Sequence, residues 1–165
     1  MDPNYTKAET QTFHLSDGRT LSFAVFGAGA ETFNTTTTTP SSPTQQGQPC
    51  PTAVLFYFHG FPSSHEEASI FHQAARRQAV QIIALDRPGH AGSMFQSNRR
   101  IVDWPADVLA FADHFTIPRF GVLGLSGGAP TGDVDVGTVD RAGRGLGYGD
   151  VTRQSGQRRG KAGEV

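Results

Sequence analysis

Three continuous apolar segments constrain the fold of this chain more than any other feature of its sequence. They are residues 53–58 (AVLFYF), 80–85 (VQIIAL) and 120–125 (FGVLGL). Such runs are typical of strands buried on both faces of a sheet, because a half-exposed strand alternates apolar and polar residues. Two segments with helical spacing separate them. The order strand–helix–strand–helix–strand predicts an α/β fold: a parallel sheet of about three strands with two right-handed crossover helices.

Both crossover helices have start signals and an apolar face. The first is predicted to run from Ser64 to about Gln78, because Ser64 and Glu67 have the spacing of a capping box. Its apolar positions are Ala68, Phe71 and Ala75. The second follows Asp103 as the capping residue, with Pro105 tolerated in the first turn. Its apolar face consists of Trp104, Val108, Phe111 and Phe115.

An antiparallel hairpin is predicted ahead of the parallel strands. Residues 12–15 and 21–26 alternate apolar and polar side chains around a central Asp-Gly pair, which is a strong hairpin signal. Residues 1–10 are polar and are predicted to be flexible. Residues 27–51 are rich in Thr, Pro, Ser and Gln and are predicted to form a disordered insertion. The folded domain is predicted to span residues 11–130.

The last part of the chain, residues 131–165, has a different composition. It is crowded with Gly, Arg and Asp, and it contains no Phe, Trp, Ile or His. Neither the helical nor the strand period persists in it, so it is predicted to be disordered and foreign to the fold. We interpret it as a truncated splice form or as intron sequence translated in a gene model.

Composition and charge exclude several classes of partner. A chain of 165 residues is long enough for one domain, and a net charge of -1 provides no basic field for nucleic acid or an anionic membrane. No segment approaches the roughly 20 apolar residues that span a bilayer, and the N-terminus has no secretory signal. We therefore expect a cytoplasmic protein without a cofactor or metal ion. Cys50 cannot form an internal disulfide, and it is either an incidental linker residue or a reactive thiol.

The sequence GLSGG at residues 124–128 directly follows the third apolar segment. It has the pattern G-x-S-x-G of a nucleophile elbow, in which a serine occupies a strained strand-to-helix turn between small neighbours. Its place at the end of a parallel strand is where ligands bind in α/β sheets. Ser126 is therefore a candidate nucleophile, with Gly124 and Gly128 as the supporting small residues. The alternative is a glycine-rich turn with no chemical role.

Two further motifs follow the other apolar segments. HGFP at residues 59–62 follows the first segment, and DRPGHAGS at residues 86–93 follows the second. His59 is either a general base or, as the favoured interpretation, a residue that holds its loop through hydrogen bonds. Asp86 is expected to organise the loop that it begins rather than to take part in chemistry.

Together, in this order and spacing, the three motifs resemble the α/β-hydrolase superfamily, within it the branch with a serine nucleophile. The resemblance covers the N-terminal portion of that fold, at residues 11–130. It departs at Ala91, where the family usually has glycine, and at Gly92. Epoxide hydrolases and haloalkane dehalogenases of this fold carry aspartate at the position of Ser126. The resemblance therefore implies acyl transfer from a small-molecule ester, thioester or amide.

The resemblance also implies a role for single residues. Ser126 would attack the substrate, and the backbone N–H groups of Phe61 and Gly127 would bind the oxyanion at about 3 Å. Gly60 and His59 would support the turn that carries Phe61. Backbone donors suit this task because they are fixed before the reaction and need no reorganisation.

The rest of the family's catalytic triad is absent from this sequence. The triad acid and histidine follow the serine in the family, but only 39 residues follow Ser126 and the last histidine is His114. We therefore expect a serine hydrolase that is truncated after its nucleophile and inactive in this form. The second hypothesis is a non-catalytic truncated isoform or a gene-model fragment. Without later strands, the segment at 120–125 would become an exposed sheet edge that favours self-association.

Overall fold

The computed structural model describes the chain at residues 7–33, 51–128, 135–140 and 145–150, which form one mixed sheet of seven strands with two α-helices. The strands are β1 (Gln11–His14), β2 (Thr20–Gly27), β3 (Ala53–Phe58), β4 (Val80–Leu85), β5 (Arg119–Gly124), β6 (Asp135–Asp140) and β7 (Gly145–Asp150). The helices are α1 (His72–Arg77) and α2 (Trp104–His114).

The centre of the sheet is parallel. The strand order is β1-β2-β4-β3-β5-β6-β7, so β3 lies between β4 and β5 and runs parallel to both. β1 and β2 form an antiparallel hairpin, and β2 pairs antiparallel with β4. The predicted hairpin, the three parallel strands and the two crossover connections are confirmed.

The central strand β3 belongs to two cores, one on each face of the sheet. Phe56 and Phe58 are buried in one core together with Phe111 of α2. Tyr57 points to the other face, where it is buried in a core that includes Ala75 of α1. Successive side chains of a strand point to opposite faces, so burial on both faces requires the uninterrupted apolar sequence of this segment.

Phe111 is the centre of the larger core. Its ring contacts Phe13 at a centroid distance of 5.1 Å, Phe23 at 4.9 Å and Phe56 at 5.7 Å, all edge to face. The ring is fully buried. These contacts tie α2 to β1, β2 and β3 at once.

The first crossover helix differs from the prediction. Residues 64–78 were expected to form one α-helix, but His65–Phe71 is a 3-10 segment and only α1 is α-helical. Ser64 caps this segment, because its hydroxyl accepts the Glu66 N–H. The carboxylate of Glu67 does not return to Ser64 as in a capping box, because it accepts hydrogen bonds from groups on and just after β3.

The second crossover helix has the predicted apolar face. Val108 and Phe111 are buried, and Trp104 and Phe115 pack against the same core. Asp103 precedes α2, but its carboxylate accepts the N–H of Arg100 and does not cap α2 itself. α2 has 11 residues, and no helix in the described ranges is long and apolar enough to cross a membrane.

The first residues of the predicted disordered insertion are ordered. Ala28 is buried and its N–H donates to the Val80 carbonyl at 2.8 Å, which prolongs the pairing beyond β2. Ala30–Thr32 forms a 3-10 turn, and Phe33 packs against Phe115. The prediction is wrong for residues 27–33 because the Thr-rich composition starts after them. Residues 34–50 lie outside the described ranges, as do residues 1–6 of the predicted flexible terminus.

Part of the predicted disordered tail is regular. β6 pairs antiparallel with the whole of β5, and β7 pairs antiparallel with β6. The expectation of an exposed β5 edge is therefore wrong, and the described sheet ends at β1 and β7. A segment without an apolar period can pair in this way because the ladder is formed by backbone groups. The other tail residues lie outside the described ranges, and self-association stays a prediction.

We expect Phe111→Ala to destabilise the fold by about 3–5 kcal/mol, because it removes a fully buried ring and leaves a cavity between α2 and the sheet. The control is Ile101→Ala, because Ile101 is 91% exposed and its truncation should change stability by no more than about 0.5 kcal/mol. Urea unfolding followed by circular dichroism measures both. Equal effects of the two substitutions would contradict the described core.

We also expect stability to fall from about pH 6.5 to about pH 5.5 because of His72. This side chain is buried and its Nδ1 accepts the Gly27 N–H, and burial, followed by the nearby Arg76, lowers its pKa. The unfolded chain then binds the proton more readily, so the stabilisation is complete above the ordinary pKa of about 6.5 and is lost as the pH falls below it. His72→Gln should lessen the drop in melting temperature across this range. His114→Gln, which removes an exposed histidine, should leave the drop unchanged.

Candidate active site

The three sequence motifs meet at one edge of the sheet. In the parallel registers Phe58 is level with Leu85 of β4 and with Gly124 of β5. The residues that follow these strands therefore emerge side by side, which brings together His59, Asp86 and the turn that contains Ser126.

Ser126 occupies a tight turn directly after β5. Its φ angle is 50°, in the left-handed region that residues with a Cβ rarely adopt. The Leu125 N–H donates to the Phe58 carbonyl at 3.1 Å, and the Gly128 N–H donates to the Leu125 carbonyl at 2.8 Å. The turn is therefore held to the end of β3 while the Ser126 side chain is exposed.

A close contact requires glycine at position 128, and Gly60 lies beside the serine turn. A Cβ on Gly128 would lie 2.7 Å from the carbonyl carbon of Phe58, closer than real Cβ atoms come. A Cβ on Gly60 would lie 3.5 Å from the Cβ of Ser126, so the HGFP turn borders the serine directly. The packing of these two turns explains the glycine at position 128, whereas at Gly60 the distance is an ordinary van der Waals contact.

The two expected oxyanion donors are neighbours. A Cβ on Gly127 would lie 3.6 Å from the backbone nitrogen of Phe61, which brings the two residues into contact. The Phe61 N–H donates no hydrogen bond to any described residue. The Phe61 side chain is 74% exposed, so this residue contributes its backbone to the turn and its ring to the surface.

Glu67 holds the same turn from the other side. Its Oε2 accepts the Gly60 N–H at 2.8 Å and the Tyr57 hydroxyl at 2.7 Å. Burial, reinforced by this carboxylate, raises the pKa of Tyr57, so the hydroxyl remains a donor. Sequence analysis assigned Glu67 to a helix cap and missed this role. The only signal was its nearness in sequence to the HGFP motif.

Arg87 is the second residue that sequence analysis missed. Its Nη1 donates to the Gly127 carbonyl at 2.6 Å, and its Nη2 donates to the carbonyls of His59 at 3.1 Å and Gly60 at 3.4 Å. The guanidinium therefore bridges the HGFP turn and the serine turn. Burial lowers the pKa of Arg87, and the charge of Glu67 acts in the opposite direction.

Both ring nitrogens of His59 are occupied away from Ser126. The Arg87 N–H can only donate, so Nε2 of His59 accepts at 3.3 Å and Nδ1 carries the proton that it donates to the Gly60 carbonyl at 2.8 Å. The ring is completely buried, and burial lowers the pKa of His59. These contacts hold a loop and leave no lone pair for a general base.

Asp86 is fully buried, and its carboxylate accepts three hydrogen bonds. Its carboxylate accepts the Ser22 hydroxyl at 2.5 Å, the His65 N–H at 2.7 Å and the His65 Nδ1 at 2.6 Å. The Ser93 hydroxyl donates to the Asp86 carbonyl at 2.7 Å. Asp86 thus ties β2, the 3-10 segment and its own loop together, and sequence analysis did not identify its partners Ser22 and His65.

A general base for Ser126 is not found within the described residues. No described side chain hydrogen-bonds to the Ser126 hydroxyl. The same ranges contain no group of three or more His, Cys, Asp or Glu that could hold a metal ion. The arrangement provides an exposed hydroxyl on a strained turn, a neighbouring backbone N–H and a cation behind both turns.

The fold matches solved structures, whereas no family model and no curated protein matches the sequence. A hydrolase from Pseudomonas aeruginosa PA01 has a TM-score of 0.54 and 21% identity, covering 74% of this chain and 38% of that one. The thioesterase domain from the curacin biosynthetic pathway has a TM-score of 0.52 and 14% identity, with 74% and 38% covered. An epoxide hydrolase from Vigna radiata has a TM-score of 0.50 and 16% identity, with 73% and 31% covered.

These likenesses establish the fold. The chain has a partial α/β-hydrolase fold, and it spans about a third of the length of the solved chains that it matches. The expected fold class is confirmed.

The strained turn leads to a stability prediction. Ser126→Gly should make the chain more stable than Ser126→Ala by about 1 kcal/mol, because alanine retains the Cβ that disfavours a φ of 50° and glycine does not. Both variants lack the hydroxyl, so the difference between them measures the cost of placing a Cβ at this φ angle. Thermal unfolding of the two proteins measures the difference. Ser126→Ala being equal to or more stable than Ser126→Gly would contradict the described turn.

Proposed function

We propose that this chain carries the nucleophile and the oxyanion-binding turn of a serine hydrolase that acts on an ester, thioester or small amide by acyl transfer. The observation that carries the proposal is the left-handed Ser126, exposed at the end of β5 and bordered by Gly60. A serine in such a conformation needs support from its surroundings, and strain of this kind is concentrated at active sites.

The chemistry follows from the positions of the two turns. The Ser126 oxygen would attack the substrate carbonyl carbon, and the negative charge would form on the carbonyl oxygen beside the N–H groups of Phe61 and Gly127. Collapse of this intermediate would expel the alcohol, thiol or amine and leave an acyl group on Ser126. Water would then release the acid and restore the hydroxyl.

The proton of Ser126 requires an acceptor that the described residues do not provide. Serine is a poor nucleophile without an adjacent base, and His59 has both nitrogens engaged. We propose that this chain is acylated slowly and turns over little, and that a base and an acid beyond the described residues complete the site. A small-molecule substrate and a cytoplasmic location are part of this proposal.

The test uses p-nitrophenyl acetate and the chain as it exists. We expect acetylation of Ser126, detected by peptide mass spectrometry, with a steady turnover far below the roughly 1 s⁻¹ at the low end of ordinary enzymes. Ser126→Ala should abolish the acetylated peptide. Ser97→Ala removes another exposed serine and should leave it unchanged.

Two results would count against the proposal. Acetylation spread equally over exposed serines, with no preference for Ser126, would favour the non-catalytic interpretation. A turnover near 1 s⁻¹ or above that is lost in Ser126→Ala would show that a base is already present in the chain.

A further inference from the structure

We propose that Arg87 is a positioning residue that orients the Phe61 N–H toward Ser126 and joins the oxyanion turn to the nucleophile turn. The inference rests on the proposed function for its catalytic consequence. That Arg87 joins the two turns is supported by the contacts of its guanidinium with both of them, although they are far apart in sequence.

The peptide group between Gly60 and Phe61 is held through its carbonyl. The Gly60 carbonyl and the Phe61 N–H belong to one planar trans unit, so they point in opposite directions. The carbonyl accepts from His59 Nδ1 at 2.8 Å and from Arg87 Nη2 at 3.4 Å. Fixing the carbonyl on the side of Arg87 therefore fixes the N–H on the side away from it.

The HGFP turn is also fixed one peptide earlier. The Gly60 N–H donates to Glu67, and the His59 carbonyl accepts from Arg87 at 3.1 Å. Two consecutive carbonyls thus face one cation while the intervening N–H faces a carboxylate. This alternation leaves the HGFP turn little freedom to rotate its peptide groups.

Arg87 also binds the nucleophile turn. Arg87 Nη1 donates to the Gly127 carbonyl at 2.6 Å, so the same rigid guanidinium spans both turns. A Cβ on Gly127 would be 3.7 Å from Nη2, which places the cation directly behind the nucleophile turn. The spacing between the Phe61 N–H and Ser126 therefore depends on a planar group with fixed geometry.

The charge of Arg87 has an electrostatic effect on the HGFP turn. No described carboxylate forms an ion pair with Arg87. A positive charge that donates to the Gly60 carbonyl polarises the peptide and makes its N–H a stronger donor. Arg87 would in this way strengthen oxyanion binding without touching the substrate.

The experiment compares Arg87→Met, Arg87→Lys and the control Arg76→Met in the full chain. Arg76 forms an exposed ion pair with Glu31 and lies in α1, away from the two turns. Two quantities are measured for each variant: amide hydrogen exchange at residues 59–62 and 126–128, and the rate of Ser126 acetylation by p-nitrophenyl acetate. Thermal unfolding establishes the folded fraction, to which the rates are normalised.

We expect Arg87→Met to raise exchange in both turns and to slow Ser126 acetylation by about 10- to 100-fold per folded molecule, since loss of one oxyanion donor costs about 100- to 1,000-fold. Arg87→Lys should remain slow because an ammonium does not span both turns. Millimolar guanidinium ion should partly restore acetylation of Arg87→Met. Arg76→Met should match the parent protein in both measurements.

Other outcomes separate the two proposals. Unchanged exchange in both turns would overturn the positioning role, whatever the acetylation rate. Increased exchange with an unaltered acetylation rate would also overturn it. Increased exchange in a protein whose parent form never acetylates Ser126 would support the structural tie and overturn the proposed function.

Discussion

The register of three parallel strands is the constraint on which the candidate site depends. Because Phe58 is level with both Leu85 and Gly124, β3, β4 and β5 end together. Every contact between the three loops requires this alignment, from the Leu125–Phe58 hydrogen bond to the reach of Arg87 across to Gly127. The register is in turn held by burial on both faces, since a slip by one residue would exchange the side chains of Phe56 and Tyr57 between the two cores.

Much of the fold could be predicted because its signals are local. The run from Ala53 to Phe58 has the composition of a doubly buried strand, and it forms a strand with those bounds whose last three residues are buried. The Ser126 turn could be located because the strained turn requires small neighbours, which appear as the five-residue motif GLSGG at residues 124–128. The strands β6 and β7 could not be predicted from their side chains. They pair through backbone groups, β6 with the edge of β5 and β7 with β6, and such pairing requires no pattern of apolar residues.

The two supporting residues of the site were missed for a different reason. Arg87 bonds to carbonyls that are 28 and 40 positions away in sequence, so its role depends on which loops the sheet brings beside it. Glu67 has the spacing of a helix cap with Ser64, so the sequence predicted a local partner for its carboxylate. In the structure the carboxylate binds groups of the β3 strand and of the turn after it. These groups are the Tyr57 hydroxyl and the Gly60 N–H, two donors at the end of a buried strand that require an acceptor.

At Phe61 the group proposed to act in the site is the backbone N–H, whereas the side chain is an exposed ring. The proposed donor at this position is a main-chain group, while the side chain is 74% exposed and directed away from the core. Position 61 can therefore accept residues of different size and polarity while the peptide that it shares with Gly60 remains held. A library of substitutions at this position would vary what borders the entrance to the site and retain the same donor, which makes it a natural starting point for altering selectivity by directed evolution.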